Sequence, residues 1–282
     1  MYSFLNGSII KEDKAKIPLG DRGFLFGDGL FETIAMHNGK MAGFKEHIQR
    51  LNRSACKLCF DLQLSKDEIF NTIHDLVKKN GLDGADSYIK VIATRGMQTE
   101  GISYQASKEP LVAVIVKKLK PYSPKQYKEG FSLSVSSIKR NKTNPLYSHK
   151  MLNYFENIFA KEQALKKGTD EALFLTQENK VLEASTSNLF AVIDGKIHTP
   201  PADGSILEGI TRARVISLCK DASIEVIESD IYLGDLLRAS GLFLTNSIMD
   251  VMPVNSIDGH IINGSADCSQ TRNIMEMFKS RQ

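Results

Sequence analysis

The stretch YSHKMLNYFENIFAKEQALKK, Tyr147 to Lys167, decides how the rest of the chain is read. Its apolar residues Leu152, Phe155, Ile158, Phe159 and Leu165 recur at the spacing of one helical face, with Glu156, Lys161, Glu162 and Lys166 largely off it. The pattern predicts a helix with Lys150 at its start, just after a turn at Asn144-Pro145. Tyr154, four residues on, then lies one turn away on the same side. An ammonium is costly to bury, so a lysine at a buried helix lip shifts toward the neutral amine, which attacks carbonyls. A lysine with a phenol beside it can hold an aldehyde cofactor and hydrogen-bond its ring oxygen. On this stretch alone the commoner pattern is plainer: a solvated lysine at a helix end and a core tyrosine.

The chain's 282 residues are enough for one large domain or two ordinary ones. A net charge of +3, from 36 basic and 33 acidic residues, is too small to point to nucleic acid or an anionic membrane surface. The longest clean apolar run, Leu111 to Val116, falls far short of the ~20 residues of a membrane helix. Met1 to Gly7 reads as a strand entering a turn rather than a signal segment, so the expected location is cytoplasmic. Cys56 and Cys59 have CxxC spacing inside a helical pattern, Glu46 to Phe60. No second pair or paired histidines complete a zinc set, so no metal is expected and the thiols read as small apolar packing groups.

Residues 1–43 read as strands and turns. Within them, DRGFLFGDGLFET (Asp21 to Thr33) partly mimics a dinucleotide fingerprint. Glu32 stands where the third glycine belongs, and Leu30 to Met36 looks like a strand rather than a helix start, so the nucleotide reading is rejected. Helices are expected at about 44–59 and 66–79, and strands at Tyr88–Thr94 and Leu111–Val116, with a long polar loop, Arg95 to Pro110, between the strands. Lysines and two prolines after residue 117 read as a connector. The expected division is a small domain over 1–117, a linker over 118–128 and a larger domain over 129–282. The second domain opens on a strand, Phe131 to Ile138, followed by the Lys150 helix. Short strands come next at about 171–176, 181–183, 188–193, 224–228 and 241–246. Helices are expected from Gly209 to about Asp221, at 232–239 and from Ser269.

An aldehyde cofactor of the pyridoxal phosphate type needs an amine, an acid for its pyridine nitrogen and a cup for its phosphate. Glu183, in Val181-Leu182-Glu183-Ala184-Ser185, ends a strand and can keep the ring nitrogen protonated. Gly209-Ile210-Thr211 opens a helix, where backbone N–H groups and the dipole favour an anion and Thr211 adds a hydroxyl. Ser247, after the strand Leu242 to Asn246, adds another, and Arg50 in the first domain supplies a forked counter-charge. Each has a plainer reading: a turn residue, a helix cap, an exposed helix arginine.

Six motifs in order are FGDGLFET, HIQRL, HKMLNYFENIFAKEQA, LEASTSNLF, LEGITR and MDVMPV. Together they resemble the class IV aminotransferase family, the fold-type IV pyridoxal phosphate enzymes, over about residues 2 to 280. The resemblance implies an α+β, two-domain fold, with a small α+β N-terminal domain and a larger C-terminal domain built on a central β-barrel-like sheet. It implies pyridoxal 5'-phosphate as cofactor, Lys150 as the Schiff-base lysine, Tyr154 on the cofactor's phenolic oxygen and Glu183 on its pyridine nitrogen. Arg50, Ile210, Thr211 and Ser247 would hold its phosphate. It also implies an amino-acid-type substrate and a homodimer. Branched-chain aminotransferases usually have glycine where Thr33 stands, and the loop after Thr94-Arg95-Gly96 lacks the arginine and histidine of D-amino acid aminotransferases. Aminodeoxychorismate lyase is similar around Asn144-Pro145, Lys150 to Asn153 and Ile248 to Val254, though the Asn-Pro to lysine spacing is one residue shorter here. Thr33 falls where that lyase places a proton-relaying hydroxyl, which makes Thr33 a catalytic candidate beside Lys150. The leading expectation is a lyase giving 4-aminobenzoate and pyruvate from 4-amino-4-deoxychorismate. The alternative is transamination of branched-chain or D-amino acids with a 2-oxo acid. A non-enzymatic domain that has kept the fold is disfavoured by the intact Lys150, Glu183 and Thr211.

Overall fold

A computed structural model describes residues 1–97, 101–103, 109–262 and 264–281. They form two units: Met1–Lys120 with His149–Tyr154, and Pro121–Ser148 with Phe155–Gln282.

The first unit runs β1 (Tyr2–Leu5), β2 (Ser8–Lys11), α1 (Arg22–Phe26), β3 (Gly29–His37), β4 (Lys40–Met41), α2 (Phe44–Lys57), α3 (Lys66–Lys79), β5 (Ser87–Thr94) and β6 (Leu111–Lys118). Its sheet is antiparallel, in the order β2-β1-β6-β5-β3-β4. Side chains alternate across a strand, and here the two faces have different fates. Leu30, Ile34 and Met36 of β3, with Ile89, Val91 and Ala93 of β5, pack against Phe44, Ile48 and Leu51 of α2 and Ile69, Ile73 and Leu76 of α3. Phe31, Thr33 and Ala35, with the cross-strand residues Ile92, Lys90 and Tyr88, point the other way. The helices form because their apolar residues recur every three or four positions. Ser65 caps α3 by accepting from Glu68 N.

The Lys150 segment corrects the sequence reading. The helix begins at Phe155, not at Lys150. Residues 149–154 instead lie extended along β3: Phe31 N donates to Lys150 O at 2.9 Å, Leu152 N donates to Gly29 O at 2.8 Å, and Leu30 bridges Met151 in antiparallel sense. The relation of Lys150 to Tyr154 is therefore not one helical turn. Two glycines make room for this strand. A Cβ on Gly29 would meet Leu152 Cδ1 at 2.4 Å and Ala93 O at 2.7 Å, and one on Gly27 would meet the Asn153 backbone at 3.0 Å. Gly27 also closes α1 at φ +67°, a conformation glycine adopts without steric cost. The fingerprint-like glycines thus serve backbone packing.

The second unit runs α4 (Pro124–Glu129), β7 (Phe131–Lys139), α5 (Phe155–Lys166), β8 (Glu171–Leu175), β9 (Val181–Ala184), β10 (Asn188–Ile193), β11 (Lys196–Thr199), α6 (Ile210–Asp221), β12 (Val226–Glu228), α7 (Leu233–Leu236), β13 (Gly241–Asn246), β14 (Asp250–Ile257), β15 (His260–Ile261) and α8 (Ser269–Ser280). Its nine-stranded sheet takes the path β12-β11-β10-β13-β14-β7-β8-β9, with β15 on β14. The sheet curls as a half-barrel, and the turn joining β9 to β10 is closed by Ala184 N donating to Ser187 O at 2.8 Å. Strands β8, β10 and β13 are almost wholly buried, as their near-continuous apolar sequence demands.

The stretch read as a linker, 118–128, contains most of α4, whose Ser123 and Gln126 form a capping box with Pro124 in the first turn. The apolar stripe of α5 does not face the core. Ala160 and Ala164 are buried, while Phe155 is 72% exposed and Ile158 52%. Among the described residues, no helix is long and apolar enough to cross a membrane.

Gly29→Ala tests whether β3 depends on close approach by the Lys150 strand. Overpacking of this kind costs about 1–3 kcal/mol, so its urea midpoint should fall well below that of Gly234→Ala, whose added Cβ meets only Arg238 Nη1, at 3.8 Å. Equal midpoints would mean that the strand yields without cost.

Candidate active site

In the first unit the site grows out of β3. The Phe31 ring is the meeting point: Lys150 Nζ lies 4.5 Å from its centroid, Lys90 Nζ lies 4.5 Å from it, and Tyr154 packs edge-on at 5.5 Å. The structure therefore brings Lys150 and Tyr154 together, Nζ lying 5.6 Å from the phenol ring centroid, by strand pairing and a shared aromatic neighbour rather than by helix geometry. His149, next to the lysine, pairs Nδ1 with Ser54 Oγ of α2 at 2.9 Å and ties down the strand's start. Thr33 is partly buried on the same face of β3 as Phe31, directly across from Lys90.

Lys90 is a residue that sequence reasoning missed. Burial pushes its ammonium below the ordinary lysine range. Among the described residues no carboxylate pairs with it, and its neighbour is the Phe31 ring. In the sequence, Tyr88-Ile89-Lys90-Val91 shows a lysine inside a strand of alternating burial, and that was the available signal.

Arg50 is not an exposed helix arginine. It is buried on the helix-facing side of β3, where Nε donates to Glu32 Oε1 at 2.8 Å and Nη2 donates to Glu32 Oε2 at 2.6 Å. His47, one turn earlier on α2, sits 2.7 Å from Oε2 through Nδ1. Burial alone would raise the Glu32 carboxyl. The Arg50 charge and the hydrogen bonds from His47 and Arg50 outweigh it and hold the group down at about 2. Burial pushes His47 down, with Arg50 and Lys150 adding to that and Glu32 opposing it.

The second unit carries the acidic and anion-binding candidates. Glu183 is buried in β9, accepting from Arg140 Nη1 at 3.0 Å, Leu207 N at 3.2 Å and Asn188 Nδ2 at 3.3 Å. Asn188 also donates to Leu207 O at 2.9 Å, and a Cβ on Gly209 would stand 1.9 Å from Asn188 Oδ1. Asn188 thereby joins Glu183 to the start of α6, where Ile210 and Thr211 are buried and Gly209 is the N-cap. Ser247 lies in the turn after β13, two residues beyond Thr245. Arg140 was also missed by sequence reasoning. It is buried between the Phe174 ring at 3.6 Å and the Tyr147 ring at 4.5 Å, and it donates to Glu156 Oε1 at 2.5 Å and Asn157 Oδ1 at 3.2 Å. Its partners lie 16 to 43 residues away, so nothing local announced it.

Ser187 Oγ and Thr245 Oγ1 are buried without a partner among the described residues. Thr245 is the cross-strand neighbour of Asn188. Orphaned hydroxyls beside a buried carboxylate and a helix start suit a polar ligand. Among the described residues, no cluster suited to a metal is found. Cys56 and Cys59 are free and exposed, so they are not the packed apolar thiols expected, whereas Cys219 and Cys268 are buried. In the loop from Arg95 to Pro110, residues 98–100 and 104–108 lie outside the described residues.

Comparison with known proteins agrees with this chemistry. Residues 29–257 match the model of the family described as amino-transferase class IV. The chain is 37% identical over 279 residues to a Methanocaldococcus jannaschii protein provisionally named a branched-chain-amino-acid aminotransferase, covering 99% of this chain and 96% of the relative. It is 31% identical over 276 residues to the aminodeoxychorismate lyase of Bacillus subtilis, covering 98% and 93%. The solved structure of the Escherichia coli branched-chain amino acid aminotransferase superposes with a TM-score of 0.92 at 28% identity, covering 99% of this chain and 93% of that one.

The shifts of Glu32 and His47 predict an acid-sensitive fold. A carboxyl lowered from 4.5 to about 2 stabilises the folded state above pH 4.5 and loses that contribution as pH falls toward 2. A histidine lowered from 6.5 stabilises above pH 6.5 and loses its contribution below that value. Both act in one direction, so urea midpoints should fall on acidification. Glu32→Gln should flatten the limb below pH 4.5, and parallel wild-type and Glu32→Gln curves there would remove the assignment.

Proposed function

Because the chain belongs to the class IV aminotransferases, we propose that it transaminates amino acids at Cα, that Lys150 carries the proton transfers, and that one of its substrates bears a distal carboxylate. Pyridoxal 5'-phosphate is the cofactor of this family, and the side chains present fit it: an amine beside a phenol in the first unit and, in the second, a buried carboxylate beside a helix start with orphaned hydroxyls nearby. When bound, it would supply an aldehyde carbon for amines and an electron-withdrawing ring that eases proton loss from Cα.

The chain's own residues would divide the work. Lys150 Nζ takes the Cα proton and returns one, and the Phe31 ring excludes water on its flank. The Tyr154 hydroxyl orients the cofactor's phenolic oxygen. Glu183 holds a proton on the pyridine nitrogen, and Arg140 keeps that carboxylate in place. Backbone N–H groups of Ile210 and Thr211, the Thr211 and Ser247 hydroxyls and the Arg50 guanidinium hold the phosphate. The observation that carries the substrate reading is Lys90, half-buried on the Phe31 face with no carboxylate partner among the described residues. A desolvated cation in that position favours an anionic group arriving with the substrate.

A second reading, aminodeoxychorismate lyase, is favoured by Thr33, whose hydroxyl lies across from Lys90 on the same face. Both readings share Lys150, Glu183 and the phosphate ligands, and they part at the step after Cα deprotonation. The exposed side chains of α5, Phe155, Ile158, Phe159 and Leu165, support a homodimer in which a second copy covers them. Four free cysteines accord with a reducing, cytoplasmic setting.

The purified protein should be yellow, and Lys150→Ala should lose the visible band. A colourless protein that takes up no added pyridoxal phosphate would refute the assignment. Lys90→Met should lower kcat/KM for glutamate by roughly tenfold or more, as loss of a charged hydrogen bond does, and spare leucine; equal losses on both substrates would remove Lys90 from recognition. General acid–base help is worth roughly 10²–10⁴-fold. Thr33→Val should therefore depress pyruvate release from aminodeoxychorismate by that factor if the lyase reading holds, and change transamination only modestly if it does not. Phe159→Asp should shift the sedimentation of a dimer toward the monomer.

A further inference from the structure

Among the buried ionisable groups that the mechanism leaves unused are Glu32, at 0% exposure, and His47, at 1%, behind Arg50. We propose that Glu32, braced by His47, is a positioning residue that orients Arg50 toward the phosphate of the cofactor and so sets the enzyme's preference for a phosphorylated ligand. The inference rests on the reading of Arg50 as a phosphate ligand.

Three observations carry it. First, the pairing is side-on and bidentate, Nε to Oε1 at 2.8 Å and Nη2 to Oε2 at 2.6 Å. The guanidinium is planar, so fixing that edge fixes where the Nη1 group and the far edge point. A long arginine side chain loses about 2 kcal/mol of rotamer freedom when it is immobilised. Here that loss has been met before any ligand arrives, which is how preorganisation raises affinity. Second, Glu32 is itself immobile. It sits in the middle of β3, opposite Val91 in the β3–β5 ladder, and His47 Nδ1 holds Oε2 at 2.7 Å. Third, the strand that holds Glu32 also holds the backbone of the amine-bearing segment. The same β3 residue comes directly after Phe31, whose N–H donates to the Lys150 carbonyl at 2.9 Å. One strand therefore registers both the amine and the guanidinium.

A purely structural role, pinning β3 to α2, would also explain a buried ion pair, so the test reads ligand preference rather than stability. Full-length chain stripped of cofactor is titrated with pyridoxal 5'-phosphate and with pyridoxal, which has the aldehyde and lacks the phosphate. Arg50→Ala should weaken pyridoxal phosphate binding about tenfold to a hundredfold, the range for a charged hydrogen bond, and leave pyridoxal within about twofold. Glu32→Gln should do the same. The double variant should be no more than about twofold weaker than Arg50→Ala alone, because coupled residues are not additive. If Glu32→Gln does not fold, Glu32→Asp, which keeps the charge and draws it back by one methylene, should lower the same ratio.

Equal weakening of both ligands by the Glu32 variants, unchanged binding beside a weakened Arg50→Ala, or an additive double variant would overturn the positioning role. A wild-type protein that binds the two ligands equally, or an Arg50→Ala variant that keeps the wild-type ratio, would overturn the phosphate reading of Arg50 and this inference with it. That failure appears in Arg50→Ala itself and is thus distinguishable from failure at Glu32.

Discussion

Six residues of chain, His149 to Tyr154, are held against β3 by two backbone hydrogen bonds, Phe31 N to Lys150 O at 2.9 Å and Leu152 N to Gly29 O at 2.8 Å. Much of the chemistry in the first unit depends on that pairing. A lysine on a free loop would sample many positions, whereas one on a paired strand has its Cα fixed to within the play of a sheet. The pairing requires that nothing project from β3 at its first residue, which is why Gly29 stands there. It also sets register: with Lys150 opposite Phe31, the amine meets an aromatic face on one side of the strand. Glu32, the next residue, points to the helices and grips Arg50. Period-two alternation thus distributes two chemical tasks to the two faces of one strand.

The buried charges obey a common rule. Arg50 is matched by Glu32, and Arg140 by Glu183 and Glu156. In both cases an arginine is used, whose rigid fork can satisfy a carboxylate bidentately or share itself among several acceptors. Removing one partner would strand the other in a low-dielectric interior at a cost of several kcal/mol. These pairs are therefore unlike the surface ion pairs of this chain, such as Lys125 with Glu129, which contribute little. Against this background Lys90 is the exception. It is shielded enough for its pKa to fall, and it has an aromatic ring where the other two have carboxylates.

Much of this was legible in the sequence, and the failures are instructive. Strand β3 was visible in Leu30 to Met36, α3 in its Ser65 cap, and α6 in the glycine before Ile210. Lys150, Tyr154 and Arg50 stand out by residue type and order, yet the helical setting expected for Lys150 and Tyr154 does not form. The i, i+3, i+4 recurrence after Leu152 is genuine helical spacing, and the helix exists from Phe155. Periodicity cannot tell that the residues before Phe155 are claimed by an edge of β3, because that claim comes from a strand more than a hundred residues earlier in the chain. The same spacing does not say which face of the helix is buried, and in this unit α5 turns its two alanines inward. Small residues let a helix approach a sheet closely, and the larger ones are then left outside. Arg50 looked exposed since its partner is 18 residues away on a different element.

Reaction type is a separate layer from this scaffold. An amine, a pyridine-nitrogen partner and a phosphate cup labilise Cα in any amino substrate, so the roles proposed for Lys150, Glu183 and Thr211 carry no information about what happens next. That information has to come from groups facing the departing or accepting part of the substrate. On the Phe31 face of β3 the groups proposed for that part are Thr33 and Lys90, paired across the strands. The hydroxyl can pass a proton and the ammonium can hold an anion, and a substrate with a distal carboxylate engages both. Transamination needs only the second of these functions, because its protons travel between Cα and the lysine. Elimination needs the first as well, because a leaving group must be protonated where it departs. In the proposed reading the threonine is thus the point at which one scaffold can serve two chemistries, and a glycine in its place would leave the proposed amine, carboxylate and phosphate cup untouched while removing the hydroxyl that only elimination requires.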